Sequence, residues 1–448
     1  MIELVLATPI AQRLRRHAER LRELAGRAAL TQQLNGLTPE VLRIRRSSLG
    51  HVGHHPFAAG RRKRSRVHET GSTPLDLVKN AALLSAEREG HDAQKLNDEH
   101  WEPTFEADAY WQEESRQGRV KRVTSDWFLM HWLAVELGRA VRVDTLFDVF
   151  RKEILRTAEP IDHLIVRLCS DAKTMRSFDD FEEGTADRLF FDRLDAMDTT
   201  TMLPLALLLH RSEELEPARR RTALDAIESW LVRRAILRLQ ARDYNRMVGR
   251  LITAIKKDVA HADEVVVHEL RSSQATTVKW PSDSEIRSRL IDGDLYDYVG
   301  QGRVRMLLEA CERDCRRSTK TEGVPLPSDL SIEHAMPRSW EEHWPLPDGA
   351  DVEQAAEARW TRINRIGNLT LVTSPLNSSL SNSPWQPSNG DGPGKRRALA
   401  ERSVLLINQR LVQNEVWNEA LIDERTEDLT ERVLRTWPGP DAARWPTG

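Results

Sequence analysis

The chain has 448 residues, of which 40% are hydrophobic, and its 66 Lys and Arg nearly balance its 69 Asp and Glu, for a formal charge of −3. This length fits about two to four globular domains. The balanced charge does not by itself indicate a nucleic-acid-binding protein. It leaves room for a local positive groove, because phosphate binding depends on where charges lie and not on their sum.

Three features of the sequence bear on the compartment. No apolar run reaches the roughly 18 residues that a membrane-spanning helix needs, and residues 202–209 are too short. The N-terminal apolar run has no basic region ahead of it and predicts a helix instead of a signal peptide. Cys169, Cys311 and Cys315 are the only cysteines, a number typical of a reducing compartment without a disulfide framework. We therefore expect a cytoplasmic protein.

Helical periodicity dominates the chain up to residue 317. Thr73 and Pro74 mark a helix start, because a hydroxyl caps free N–H groups and proline loses nothing at the first helical position. Helices are predicted over residues 3–26, 74–89, 125–138, 143–155, 189–255 (several) and 285–316. Residues 321–394 are rich in Pro, Gly, Asn and Ser and predict loops with short strands. Helices resume at Lys395 and continue to about Trp437.

A basic run lies between residues 35 and 68, where Glu40 is the only acidic residue before Arg66. Its cations are Arg43, Arg45, Arg46, Arg61, Arg62, Lys63, Arg64 and Arg66. The run is either a segment that contacts phosphate or a solvated basic loop, since charge runs alone specify little.

Three motifs in the loop-rich region combine residues that a metal nuclease needs: IEHAMP at residues 332–337, GNLTL at 367–371 and LNSSLSN at 376–382. Imidazole suits a base that takes a proton from water near neutral pH. Carboxylate and amide oxygens suit a divalent ion that stabilises charge on phosphate. A strand ending at His334, a second strand after Asn368 and a short helix bearing Asn377 would form a ββα metal site.

These motifs resemble the HNH nuclease domain of GmrSD-type type IV restriction endonucleases. The tail around Trp417, Arg425 and Trp437 resembles that family too, as do residues 303–312 and the WLVRR segment at 230–234. Residues 73–84, Trp101 and residues 147–150 resemble the later part of the family's ParB-like N-terminal domain. The resemblance covers most of residues 72–438, and the three motifs together make it specific.

The resemblance implies a role for each motif residue. His334 would be the general base, and Asn368 would orient it and fix the loop between the strands. Glu333 and Asn377 would be metal ligands for Mg²⁺ or Mn²⁺, with Asn382 as a substitute ligand. Lys395 and Arg396 would face phosphate.

The predicted fold is mainly α, with helical domains and a small C-terminal ββα-metal (HNH, His-Me finger) nuclease core. Residues 1–160 would be a remnant of the ParB-like domain, 161–300 a helical middle region and 301–448 the HNH nuclease domain. The family's DGQQR-type nucleotide motif is absent from the sequence, so we expect no nucleotide site and an N-terminally truncated or decayed relative. Nucleotide hydrolysis by the purified chain would contradict this.

The predicted function is metal-dependent cleavage of DNA in restriction of modified or phage DNA. We expect DNA as partner, no membrane partner, and an oligomer as one possibility, because two such sites are needed to cut both strands. One alternative is a catalytically silent DNA-binding or regulatory remnant. Another is an RNA-directed nuclease toxin.

Single residues also have simpler interpretations. His334 would be a core or capping residue, Asn368 a turn residue and Asn377 a local backbone cap. A zinc site of Cys311 and Cys315 with His334 and His343 matches no common spacing, so buried helix cysteines are favoured. Trp127 and Trp132 are predicted in the core. Arg233 and Arg234 would either contact DNA or stay solvated.

Overall fold

A computed structural model describes residues 73–117, 120–319, 325–346, 349–380, 382–387 and 394–446. The described residues all belong to one compact unit. The predicted helix at residues 3–26 and the basic run at 43–66 lie outside the described residues. No helix of the described part is long and apolar enough to cross a membrane.

Helices make up most of the described chain, which confirms the predicted mainly α fold. In chain order they are α1 (Pro74–Glu89), α2 (Ala93–Leu96), α3 (Thr124–Leu137), α4 (Leu146–Val149), α5 (Ile161–Arg176), α6 (Ala186–Ala196), α7 (Leu203–Arg211), α8 (Pro217–Ile236), α9 (Tyr244–Ile255), α10 (Ala262–Ser272), α11 (Asp283–Asp292), α12 (Leu295–Val299), α13 (Gln301–Thr319), α14 (Val352–Ile363), α15 (Ser374–Leu380), α16 (Lys395–Arg402), α17 (Leu406–Leu411) and α18 (Glu419–Thr436). Short 3-10 or π-helical segments cover Asn97–Glu106, Ala109–Gln112, Val143–Thr145, Phe150–Ile154, Ser177–Asp180, Val259–His261, Trp340–Glu342 and Ile366–Asn368.

The start of α1 shows how local sequence sets these elements. The Thr73 hydroxyl accepts from the Asp76 N–H at 3.1 Å, and the Asp76 carboxylate accepts from the Thr73 N–H at 2.8 Å. This reciprocal capping box satisfies two backbone donors that the helix leaves free, with Pro74 at the first helical position. The helix start predicted from residues 72–74 is confirmed.

Two small antiparallel sheets are described. Strands β1 (Glu114–Gln117) and β2 (Val120–Val123) pair with each other. Strands β3 (Leu330–His334) and β4 (Leu369–Thr373) pair with Leu330 opposite Thr373 and His334 opposite Leu369. Helix α15 follows β4 directly, so the predicted succession of strand, strand and short helix is present. Helix α14 lies in the connection between the strands, where loops alone were expected.

Two apolar cores surround the second sheet. The larger core contains residues from Leu75 to Trp445, among them Leu330, Leu369 and Leu371 of the two strands. The smaller core includes Val372 of β4, Met336 just after β3 and four buried tryptophans: Trp340, Trp344, Trp385 and Trp417. The sheet therefore lies between the helical body and the loop-rich segment, which fixes its position on both faces.

The C-terminal segment packs back on the middle of the chain. The Arg233 guanidinium, 1% exposed, donates to the carbonyl oxygens of Trp437 and Pro281. The Ser229 hydroxyl donates to the Pro438 carbonyl at 2.7 Å, and the Trp445 ring packs against the Trp280 ring in a tilted arrangement. The segment after α18 thus covers the buried face of α8, a helix that lies more than 200 residues earlier in the sequence.

Candidate functional site

The three sequence motifs converge at the β3–β4 sheet. IEHAMP supplies the end of β3 and the loop after it, GNLTL the entry into β4, and LNSSLSN helix α15. Alternation along β3 sends neighbouring side chains to opposite faces. The contacts of Glu333 and His334 follow this rule, because Glu333 meets α16 and His334 meets the α12 and α14 region.

Gly367 is required where the chain turns into β4 against α18. A Cβ atom at this position would lie 2.1 Å from the Ile422 carbonyl oxygen and 2.7 Å from the Thr426 nitrogen, far inside van der Waals contact. The Arg425 side chain of the same helix donates to the carbonyl oxygens of Gly367 and Leu369. The close approach and the guanidinium together hold the turn on α18.

Asn368 is fully buried and uses its whole hydrogen-bonding capacity. Its Oδ1 accepts from the Met336 N–H at 2.8 Å and from the Trp417 indole N–H at 3.0 Å. Its Nδ2 donates to the carbonyl oxygens of Met336 at 2.8 Å and Ile363 at 2.9 Å. An amide has two donors and two acceptor sites, so Asn368 joins the loop after His334 to the end of α14. It fixes that loop, but its four side-chain hydrogen bonds go to Met336, Trp417 and Ile363 and not to the imidazole.

The His334 ring is oriented by a residue that the sequence did not single out. Its Nε2 lies 3.0 Å from Asn364 Oδ1, and its ring meets the Tyr296 ring edge to face at 4.8 Å between centroids. Burial lowers the pKa of His334 to about 4, against the opposing effect of the Asn364 hydrogen bond. The imidazole is therefore neutral at pH 7, which is the form that accepts a proton.

Glu333 is paired with a buried lysine. The Lys395 ammonium, 1% exposed, contacts the Glu333 carboxylate and donates to the His334 carbonyl at 2.7 Å. Burial raises the pKa of Glu333 while Lys395 opposes that rise, and burial lowers the pKa of Lys395. Lys395 thus lies with the predicted metal ligand inside the protein and not at the surface, where a phosphate contact was expected.

The remaining predicted residues, Asn377, Asn382 and Arg396, have different surroundings. Asn377 of α15 donates to the Ser331 hydroxyl of β3 at 2.9 Å, on the face that also bears Glu333. Asn382 is exposed, and half-buried Arg396 donates to the Val412 carbonyl at 2.8 Å. Within the described ranges, no group of three or more His, Cys, Asp and Glu residues is placed to hold a metal ion. The two oxygen-bearing candidates are Glu333 and Asn377.

Comparison with known protein families places this site in context. Residues 280–432 match the model of the C-terminal domain of GmrSD restriction endonucleases. Over these residues, about a third of the chain, the protein is similar to that domain. A comparison with curated proteins found no match. The match includes every predicted site residue and supports a nuclease function for the GmrSD-type domain, whereas the resemblance of residues 72–279 and the division at residues 160 and 300 stay predictions.

Residues outside the motifs have structural roles that can now be assigned. Arg234 is 0% exposed and donates to the carbonyl oxygens of Gln240, Thr277 and Lys279. Together with buried Arg233 it is a structural residue, so the expectation that this pair contacts DNA or stays solvated is wrong. Long-range carbonyl partners that no local pattern reveals account for this outcome. Cys311, Cys315, Trp127 and Trp132 are buried as predicted.

Sequence reasoning missed the polar network beside His334. Asn364 occurs four residues before Asn368, and that short spacing was the one local signal available. Its amide nitrogen donates to Asp294 at 3.1 Å and to Asp297 at 3.2 Å. These aspartates lie at the start of α12, about 40 residues before His334 in sequence, and only the fold brings them to the site.

Proposed function

We propose that the chain is a metal-dependent HNH-type endonuclease that cleaves DNA in restriction of modified or phage DNA. The observation that carries this proposal is the position of His334 at the end of β3, opposite Leu369 of the GNLTL motif, with its ring held by Asn364 and Tyr296. The GmrSD-type match over the same residues supports the choice of DNA as substrate.

His334 would take the proton from the attacking water, a task that needs an imidazole with a pKa below the working pH. Asn368 would keep the His334 loop in place through its bonds to Met336 and Ile363. A rigid loop matters because small displacements of a base from its water are costly in rate.

Glu333 and Asn377 would hold Mg²⁺ or Mn²⁺. Both residues offer oxygen atoms, the ligands that Mg²⁺ prefers, and one or two carboxylates with water and phosphate can complete its shell. The Glu333 carboxylate becomes available to an ion once the Lys395 ammonium leaves it. When bound, such an ion stabilises negative charge on the phosphate and the departing oxygen. Arg396 and Lys395 are the proposed phosphate contacts, and for Lys395 this role requires its ammonium to leave Glu333.

The test is plasmid cleavage by the purified chain with Mg²⁺ or Mn²⁺, beside His334→Ala and His343→Ala. His343 is an exposed histidine nine residues after His334, so it controls for loss of a histidine in the same domain. We expect nicking or cutting by the parent and by His343→Ala and none by His334→Ala. No cutting of plain or phage-modified DNA by any variant, with salt-sensitive DNA binding retained, would replace the proposal with a DNA-binding module. Selective loss of RNA would favour the toxin.

A further inference from the structure

Asn364 lies between the His334 ring and two carboxylates. Its Oδ1 is 3.0 Å from His334 Nε2, and its Nδ2 donates to Asp294 Oδ2 at 3.1 Å and to Asp297 Oδ2 at 3.2 Å. The backbone is fixed at the same place, because the Asn364 carbonyl accepts from the N–H groups of Leu295 and Tyr296. The side chain therefore links the ring to the start of α12.

The surroundings decide which way this amide points. Ionised carboxylates only accept hydrogen bonds, so the atom that faces Asp294 and Asp297 has to be the NH₂ group. The opposite orientation would set an oxygen against two anionic oxygens. Arg338 Nη2, which donates to Asp297 at 2.9 Å, also lies 3.4 Å from Asn364 Oδ1 and supplies it with a second donor.

The orientation of the amide fixes the tautomer of the ring. Because Asn364 Oδ1 is an acceptor, His334 Nε2 has to carry the hydrogen of the neutral imidazole. The lone pair then lies on Nδ1. The Tyr296 ring, itself covered by the Arg338 guanidinium at 4.7 Å, packs edge to face on His334 and holds the ring plane.

We propose that Asn364 is a positioning residue that, anchored by Asp294 and Asp297, keeps the His334 proton on Nε2 and presents Nδ1 to the attacking water. This inference rests on the proposed nuclease function for its chemical meaning. Nδ1 takes one proton from water as the water oxygen bonds to phosphorus. The bond from phosphorus to the leaving oxygen breaks, and that oxygen takes a proton from solvent. The imidazolium then returns its Nδ1 proton to solvent, so atoms and charge balance.

The carboxylates give the network a second effect. During the reaction the ring becomes positively charged, and Asp294 and Asp297 lie one amide away from it. Electrostatic stabilisation of charge that develops only in the transition state lowers the barrier. The hydrogen bonds that join Asp294 and Asp297 through Asn364 to His334 are therefore expected to affect kcat, whereas DNA affinity depends on other groups.

The decisive measurement is the tautomer of His334, read from long-range ¹H–¹⁵N correlations of the full chain with ¹⁵N-labelled histidine. His334→Gln identifies the signal among the 14 histidines. We expect the parent to carry its proton on Nε2, and Asn364→Leu to show a population with the proton on Nδ1. A parent ring protonated on Nδ1, or an unchanged tautomer in Asn364→Leu, overturns the inference.

Plasmid cleavage supplies the second readout. Asn364→Leu is expected to lower kcat about 10- to 100-fold, as for other residues that orient a reacting group, with KM within about threefold. Gln354 is an exposed amide of α14, the helix that ends just before Asn364, so Gln354→Leu is the control and keeps parental activity. If Asn364→Leu does not fold, Asp294→Ala combined with Asp297→Ala leaves Asn364 in place, removes both acceptors of its NH₂ group and is expected to produce the same tautomer change. A parent that never cuts DNA refutes the proposed function, while the tautomer alone still decides the inference.

Discussion

Replacing Asn368 with Ala should destabilise the C-terminal domain strongly, because the side chain is 0% exposed and makes four hydrogen bonds. The change leaves the Met336 N–H, the Trp417 indole N–H and two carbonyl oxygens without partners. Four bonds at about 1 kcal/mol each give a loss of about 4 kcal/mol in the free energy of unfolding. The loss is not expected to be smaller than this, because the groups that Asn368 bonds stay buried without a hydrogen-bond partner in the variant.

The assay is native-state hydrogen exchange at the Met336 amide, the backbone group that Asn368 accepts from. At about 1.4 kcal/mol per factor of ten, a loss of about 4 kcal/mol corresponds to roughly 1000-fold faster exchange. Urea unfolding followed by tryptophan fluorescence should shift in the same direction. Both measurements are made with EDTA, so that no metal ion contributes.

Asn377→Ala is the control, since half-buried Asn377 makes a single bond to Ser331 in the structure. Its expected cost is below about 1.5 kcal/mol. If Asn368→Ala changes Met336 exchange by no more than Asn377→Ala does, the assigned role of Asn368 in holding the loop is wrong.

Three further predictions concern close packing, a buried histidine and a buried ion pair. Gly367→Ala should lower the free energy of unfolding by more than about 3 kcal/mol, because its Cβ would overlap α18. In the control Gly302→Ala, the added Cβ lies in a helix with its nearest neighbour at 3.9 Å, so the free energy of unfolding should rise by up to about 1 kcal/mol. Equal melting temperatures of the two variants would contradict this. Burial lowers the pKa of His131 to about 4, so the unfolded chain binds the extra proton and stability should fall by up to about 3 kcal/mol from pH 6.5 to 4. His131→Gln should flatten that part of the urea-unfolding pH profile, and an identical profile refutes the assignment. Lys395→Met should leave Glu333 buried and unpaired, at a cost of about 3 to 5 kcal/mol at pH 7.5 in EDTA. The raised pKa of Glu333 makes the folded state bind more protons than the unfolded state, so the loss of stability in Lys395→Met should shrink as pH falls. Adding Glu333→Gln should remove this pH dependence. A pH-independent loss would mean that the unpaired Glu333 carboxylate is not its cause.

The second sheet and its short helix could be predicted because their signals are local. IEHAMP ends at Pro337, which cannot extend a strand ladder, and the strand ends at His334 as expected. The chain from Leu369 to Leu380 likewise follows the predicted strand and helix. Short motifs with strong turn chemistry carry this information without help from distant residues.

Two features of the fold were not predicted: helix α14, which lies in a proline-rich region, and the division of residues 285–316 into three helices. Helix α14 has its own cap, since the Asp351 side chain accepts from the Gln354 N–H at 2.9 Å, yet the proline-rich flanks favoured a loop prediction. The helical segment predicted over 285–316 is divided into α11, α12 and α13. One break lies at Gly300, whose φ of 95° is in the left-handed region that glycine adopts freely.

The site itself was predictable in its motif residues and unpredictable in its environment. Sequence reasoning chose His334 and Asn368 from their motifs. It could not show that Lys395 lies buried on Glu333, because that pair joins residues 62 positions apart. Nor could it show that Asp294 and Asp297 lie beside Asn364. Such contacts depend on the packing of whole elements, which no short pattern encodes.

The docking of the C-terminal segment on α8 also bears on how the protein is made. The buried Arg233 guanidinium finds its Trp437 carbonyl partner 204 residues later in the sequence. During synthesis at about 5 to 20 residues per second, α8 therefore leaves the ribosome well before that partner exists. Until then the Arg233 guanidinium lacks one of the carbonyl acceptors that it meets in the folded protein. The contacts between α8 and the segment after α18 can therefore form only after residues 280–432 have been translated. The helical body and the candidate site thus become complete at the same stage of synthesis.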